Sequence, residues 1–161
     1  MNPRYERNVP ALSEEECNIL LGKRVLVVGC GGLGGHLIDM LARIGVGMLR
    51  VVDGDVFEPS NLNRQLLSEV PLLGVSKAKA AAAKISRVNP EISVEAVDSF
   101  LTEKNVRRLL LFCDVVLDGL DNIESRRILA KECERAGIPY IYGAVNGWVA
   151  QAAISMPGDH L

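Results

Sequence analysis

Residues 24–55, RVLVVGCGGLGGHLIDMLARIGVGMLRVVDGD, constrain the fold more than any other stretch. A short unbroken apolar run, Val25 to Val28, has the pattern of a strand buried on both faces of a parallel sheet. Gly29, Gly31 and Gly34 follow at G-x-G-x-x-G spacing, with Gly32 in the same turn. Leu33, Leu37, Leu41 and Ile44 then recur at helical intervals. Strand, tight turn and helix in this order form a cradle for nucleotide phosphate. The turn needs backbone free of Cβ, and the unpaired N–H groups and dipole of the helix face the anion. Met48 to Val52 reads as a second strand ending on Asp53, roughly twenty residues past Gly34, where an acid accepts hydrogen bonds from ribose hydroxyls. The pattern leaves open which nucleotide is bound.

The 161 residues fit one domain, and 48% hydrophobic content is enough for a substantial core. The expected fold is α/β and Rossmann-like: a mostly parallel sheet with helices on both faces and an antiparallel strand near the C-terminus. Residues 1–22 form an arm and a helix, and 23–161 the core. A net charge of −2 with mixed signs gives no reason to expect nucleic acid or an anionic membrane as partner. No apolar run has the length of a membrane span and the first residues lack a signal-peptide core, so a cytoplasmic protein is expected. The four cysteines, Cys17, Cys30, Cys113 and Cys133, never occur as C-x-x-C and read as reduced thiols.

Taken in order, the chain opens with a polar arm broken by Pro3 and Pro10 and carrying Arg4 and Arg7. Ser13 and Glu16 then form a capping box for a short helix ended by Gly22. The stretch after Asp53 lacks a sustained period and reads as a long loop with Asp55, Asn61, Asn63, Arg64 and Gln65. Such loops at a strand's carboxyl end carry function. Ser76 caps an alanine-rich helix that Asn89-Pro90 ends. Lys77 lies in its first turn, where a cation opposes the helix dipole and an anionic ligand would account for it. A third strand is expected over Ile92–Val97, then a helix over residues 103–113 capped by Thr102, and a fourth strand over Asp114–Leu117. DGLDN, with Asp118 and Asp121, leads into a helix ended by Gly137. A fifth strand is expected over Ile138–Tyr142, and a last one over Trp148–Met156 after the Asn146-Gly147 turn. His36 reads as structural, and His160 lies at the chain end.

The loop DGDVFEPSNLNRQ, Lys77 beyond it and DGLDN after the fourth strand resemble the ThiF/MoeB/HesA proteins, bacterial relatives of the ubiquitin-activating enzymes. The resemblance runs from RYERN at Arg4 to the strand around Ala153. It implies an adenylyltransferase that uses ATP and Mg2+ to adenylate the C-terminal glycine of a ubiquitin-fold carrier ending in Gly-Gly, releasing pyrophosphate. Sulfur transfer in thiamine, molybdopterin or a related pathway follows in the family. It further implies that Gly31 and its neighbours form the phosphate turn and that Asp53 holds the ribose. Asn61, Arg64 and Lys77 become phosphate contacts, with Asp55 and Gln65 beside them, and Asp121 the magnesium ligand. The RYERN arm matches the segment from which the family's homodimers donate an arginine to the partner's site, here Arg7. Longer members continue into a region often holding two C-x-x-C pairs; without that region, the chain reads as lacking the family's C-terminal part.

The chemistry of the residues agrees with this assignment. A carboxylate attacking the α-phosphate while pyrophosphate leaves needs charge neutralisation and alignment rather than proton transfer. Arg64 offers a planar fork, Lys77 a point charge and Asp121 a hard oxygen. For Asp121 an ordinary helix N-cap is the competing role. Two other functions share the glycine turn and Asp53: an NAD-dependent oxidoreductase, and a non-catalytic nucleotide-binding dimerisation module.

Overall fold

The computed structural model describes residues 2–9 and 11–159, so Pro10 and His160 lie outside it. Six strands form one sheet in the order β3-β2-β1-β4-β5-β6. β1 is Arg24–Val28, β2 Met48–Val52, β3 Ser93–Val97, β4 Val115–Asp118, β5 Tyr140–Asn146 and β6 Val149–Ser155. The first five run parallel; β6 returns antiparallel on β5, with Asn146 opposite Val149. Gly147 takes φ 59 at the first of the two turn residues, where a II′ hairpin needs a positive φ.

The helices α1 (Glu14–Leu21), α2 (Gly32–Ile44), α3 (Lys77–Val88), α4 (Val106–Leu109) and α5 (Ile123–Ala136) complete the fold. Because successive residues of a strand point to opposite faces, β1 serves two cores at once. Val25 and Val27 pack with Ile38, Ala42, Leu49, Val51 and Ile85 under α2 and α3. Leu26 and Val28 pack with Val106, Leu109, Val116 and Leu129 under α4 and α5. The chain moves outward from β1 through β2 to β3, then crosses back to β4 on the other side. The strand order therefore reverses between β1 and β4, and the crevice above their carboxyl ends is where open α/β sheets bind ligands.

The capping box at Ser13 and the Ser76 cap of α3 form as expected. Four expectations are corrected or refined. The helix placed over residues 103–113 contracts to α4, because Asn105 spends its side chain on the preceding loop: its Oδ1 accepts from Thr102 N–H and its Nδ2 donates to Phe100 O. Thr102 therefore acts through its carbonyl, which takes the Val106 N–H, and not as a side-chain cap. β5 starts two residues late, since Pro139 offers only a carbonyl, taken by Val116 N–H, and it then runs on into the hairpin. The stretch after Asp53 is a long loop, as expected, but an internally ordered one. It contains 3-10 turns at Pro59–Asn61 and Val70–Leu72, and it buries Phe57 and Leu67 in the core beneath α2 and α3.

The fourth correction is the N-terminal arm, which is docked. Pro3–Asn8 is a 3-10 helix whose Tyr5 is 2% exposed and lies against Gly45. The Tyr5 hydroxyl accepts from the buried Asn89 Nδ2 at 2.9 Å, and Asn8 Nδ2 donates to Ile44 O at 3.1 Å. These contacts hold the arm at the C-terminal end of α2, away from the crevice.

Candidate functional site

The register of the sheet sets the site. Val28 lies opposite both Val52 and Asp118, so Gly29, Asp53 and Gly119 leave their strands at one level. Gly29 takes φ 91, and a Cβ there would stand 2.7 Å from Gly119 O. A Cβ on Gly34 would stand 1.7 Å from Gly29 O, and one on Gly119 would stand 2.9 Å from Gly34 Cα. Three backbones thus meet where any side chain would push them apart, leaving the first N–H groups of α2 open for an anion. Gly31, the N-cap of α2, makes no side-chain cap bond. Gly119 is a site residue that the sequence reading missed. Its signal was a second glycine turn directly after a strand.

Asp53 ties the turn to the loop that follows. Its Oδ2 accepts from Cys30 N–H at 2.7 Å and its Oδ1 from Asp55 N–H at 2.8 Å. Burial pushes its pKa up, against these two bonds, which favour the anion. Each oxygen keeps a further acceptor position, so ribose hydroxyls can still bond to it. Asp55 continues the chain of contacts: its carbonyl accepts the Lys77 N–H, and its Oδ2 lies 3.1 Å from Lys77 Nζ. The Lys77 side chain is 8% exposed and that of Asp55 55%. A buried cation is therefore held at the N-terminus of α3, against the dipole, by an acid that remains largely in solvent.

The SNLNRQ segment folds around Asn61. The Asn61 carbonyl takes the N–H groups of Arg64 and Gln65, and its Oδ1 takes Glu58 N–H. That leaves the Asn61 Nδ2 as the group available to donate to a phosphate. Arg64 is exposed, and its Nη1 turns back to Ser60 O and Asn63 Oδ1. Gln65 is buried against the glycine turn, with Nε2 3.6 Å from where a Cβ on Gly31 would be. Its Oε1 is the one buried side-chain polar atom among the described residues without a partner. Phe100, 63% exposed, has its ring against Gly54 beside Asp53.

On the other side of the crevice, Asp118 is 1% exposed. It accepts from Leu120 N–H at 2.7 Å and from the Tyr140 hydroxyl, with Arg126 Nε 4.0 Å away. Burial pushes its pKa up, and these three partners pull it back. Asp121 is exposed and has no hydrogen bond or ion pair among the described residues. It is not the cap of α5: Asn122 fills that role, its Oδ1 accepting Ser125 N–H at 2.9 Å. The structural role that competed for Asp121 thus belongs to its neighbour.

No group of three or more His, Cys, Asp or Glu side chains is placed to hold a metal among the described residues. A lone carboxylate with free oxygens fits magnesium, which takes one or two protein ligands and completes its shell with phosphate and water. The structure therefore brings Gly29, Gly31, Gly32, Gly34, Asp53, Asp55, Gln65 and Lys77 into one chain of contacts, with Asn61 and Arg64 on the adjoining turn and Asp121 beyond Gly119. Arg7 is exposed on the docked arm, apart from them. His36 is exposed on α2 and contributes no hydrogen bond to the site. Cys30 lies within the turn, but burial raises its thiol pKa, so it supplies no thiolate.

The ThiF family model matches residues 5–160, and the chain belongs to that family. It is 41% identical over 156 residues to the SAMP-activating enzyme E1 of Haloferax volcanii, covering 96% of this chain and 58% of that protein. To the probable adenylyltransferase/sulfurtransferase MoeZ of Mycobacterium tuberculosis it is 37% identical over 153 residues, covering 94% of this chain and 39% of MoeZ. Among solved structures, the Escherichia coli tRNA N6-threonylcarbamoyladenosine dehydratase TcdA in complex with ATP superposes with a TM-score of 0.86 at 30% identity. That match covers 91% of this chain and 61% of TcdA. The chain thus spans less than two thirds of each of these relatives.

Proposed function

We propose that this chain binds ATP with magnesium and adenylates the C-terminal glycine of a ubiquitin-fold carrier protein ending in Gly-Gly, releasing pyrophosphate. The observation that carries this reading is Lys77, a buried cation at a helix N-terminus joined through Asp55 and Asp53 to the glycine turn. A triphosphate explains a lysine held against the helix dipole, whereas a nicotinamide dinucleotide does not need one. The likeness to a SAMP-activating enzyme and to a probable adenylyltransferase/sulfurtransferase supports the same reaction, and the TcdA structure with ATP supports the nucleotide.

In this mechanism the N–H groups at the start of α2 cradle phosphate, and Asp53 accepts the ribose hydroxyls. Lys77 and the Asn61 amide neutralise and orient the phosphate chain. Arg64 swings from Ser60 O onto it, exchanging a carbonyl for a doubly bonded phosphate contact. The carrier's terminal carboxylate attacks the α-phosphorus in line. A carboxyl–phosphate bond forms, the α–β bridge bond breaks, and its electron pair leaves on pyrophosphate. Magnesium, held by Asp121, would offset the charge that builds on the leaving group. None of these steps needs a protein group to move a proton, so alignment and neutralisation supply the catalysis.

The test is exchange of labelled pyrophosphate into ATP in the presence of a purified carrier. Label should enter ATP only with the carrier and magnesium present, and not with a carrier lacking its last glycine. ATP binding without exchange would leave a nucleotide-binding dimerisation module. NAD binding tighter than magnesium-ATP would restore the oxidoreductase reading. The likeness to TcdA makes tRNA the second substrate class to assay, and carrier-independent ATP consumption with tRNA would move the function there.

A further inference from the structure

We propose that Arg126 is a positioning residue that fixes the turn carrying Asp121 and so sets how strongly magnesium couples to nucleotide binding; this rests on the ATP reading above. The site as derived from the sequence does not include it. From α5 its guanidinium reaches three elements at once. Nη2 donates to Leu120 O and to Gly143 O on β5, the second bond at 2.9 Å. Nε faces Asp118 Oδ2 at 4.0 Å, and the guanidinium stands 5.7 Å from the centre of the Tyr142 ring. The side chain is 17% exposed.

The target of this grip is one residue, Leu120. The Leu120 N–H donates to Asp118 Oδ1 and the Leu120 carbonyl accepts from Arg126, so both polar groups of Leu120 are held. Asp118 is in turn fixed by the Tyr140 hydroxyl. The next residue is Asp121, whose side chain has no hydrogen bond or ion pair among the described residues, since the cap of α5 is made by Asn122. Without Arg126, the Leu120 carbonyl that leads into Asp121 would lose its partner, and the turn would keep the Leu120 N–H bond to Asp118 and the Gly119 close approach. A carboxylate that must meet a metal in octahedral geometry tolerates little displacement. The Gly143 bond extends the grip to the middle of β5, next to Leu33 of α2, since a Cβ on Gly143 would stand 3.6 Å from the Leu33 side chain.

Calorimetric titration with ATP, in EDTA and then with magnesium, tests this without any turnover. Arg126→Lys keeps a charge near Asp118 but has a single nitrogen, which cannot face Asp118 and bond the carbonyls of Leu120 and Gly143 together as Nε and Nη2 do. We expect it to bind metal-free ATP within about twofold of wild type while its apparent magnesium affinity falls roughly tenfold to a hundredfold, the usual effect of losing a group that orients a metal ligand. Arg126→Ala should show the same loss and recover part of it in added guanidinium. In the Asp121→Ala background, Arg126→Lys should cost nothing further in magnesium coupling, because the ligand it positions is gone. If Arg126→Lys matches wild type, Arg126 only balances the charge of Asp118 and the proposal is wrong; additive losses in the double variant would also overturn it. If Arg126→Ala fails to fold, the lysine variant and the double variant still decide. If wild type binds ATP with no help from magnesium, the inference falls and the nucleotide reading stands. If it binds no ATP, both fall.

Discussion

At the scale of single residues, adjacent positions in the DGLDN turn divide structure from chemistry. Asn122→Ala removes the cap of α5 and should cost about 1 kcal/mol of stability, read as a lower denaturant midpoint, with nucleotide affinity little changed. Asp121→Ala should leave the midpoint unchanged and strongly weaken, without abolishing, the magnesium dependence of ATP binding; a drop in stability from that variant would restore the capping role. Asp118 gives a pH test. Burial raises its folded pKa above 3.8, so the native state holds its proton more tightly than the unfolded chain does. Its contribution to stability is then fully present below the unfolded pKa and is lost as pH rises through the folded one. Melting temperatures of wild type and Asp118→Asn should therefore diverge with rising pH from about 4 upward, in favour of the asparagine variant, whose side chain cannot ionise. Parallel curves would mean that Arg126 and Tyr140 fully offset the burial.

Among the elements, the sequence was most legible where one local signal acts alone. The run Val25–Val28, the glycine turn and the helical repeat of Leu33, Leu37 and Leu41 place β1 and α2 without reference to the rest of the chain. Ser13 with Glu16, and Ser76, fix two helix starts for the same reason. Legibility failed where a polar side chain had two uses. Asn105 could have continued a helix, yet it closes a loop, and nothing near it in sequence reveals that choice. The pairing of Asp55 with Lys77 closes the long loop between β2 and α3, and the bond from Arg126 to Gly143 depends on the passage from α5 into β5, so neither shows in the local sequence. Tyr5 is the strongest case, since a polar, proline-bearing segment showed no sign of a core residue. Its ring is buried on Gly45 and its hydroxyl takes the N–H of an asparagine that is itself 0% exposed. Tyr5→Ala should cost about 3 to 5 kcal/mol, the usual result of truncating a buried aromatic. Tyr5→Phe should cost about 1 to 3 kcal/mol, because it strands one buried N–H of Asn89. Denaturant unfolding of the two variants measures both, and losses near zero would mean that the arm detaches in solution.

For the whole molecule, that docked arm decides where Arg7 can act. Tyr5 and Asn8 hold it to Gly45 and Ile44 at the C-terminal end of α2, while the glycine turn lies at the N-terminal end. A helix of 13 residues spans about 20 Å, far more than an arginine side chain covers, and releasing the arm would expose Tyr5. If Arg7 serves the phosphate chemistry, it must therefore serve the site of a second subunit, which agrees with the homodimer implied by the RYERN resemblance. An arginine brought in from outside neutralises developing charge as arginine fingers do in phosphoryl transfer, so Arg7→Ala should lower exchange on the order of 10³-fold while ATP binding persists. Mixing identifies the subunit that supplies it. Arg7→Ala and Arg64→Ala proteins, each nearly inactive, are combined under conditions that let subunits exchange. With Arg7 acting across the interface, a mixed dimer has one site with both defects and one with neither, so exchange activity rises well above that of either parent. With each subunit using its own Arg7, both sites stay singly defective and activity remains at the parental average. That second outcome would require the arm to leave α2, and the fluorescence and protease sensitivity of Tyr5 would then have to change on ATP binding.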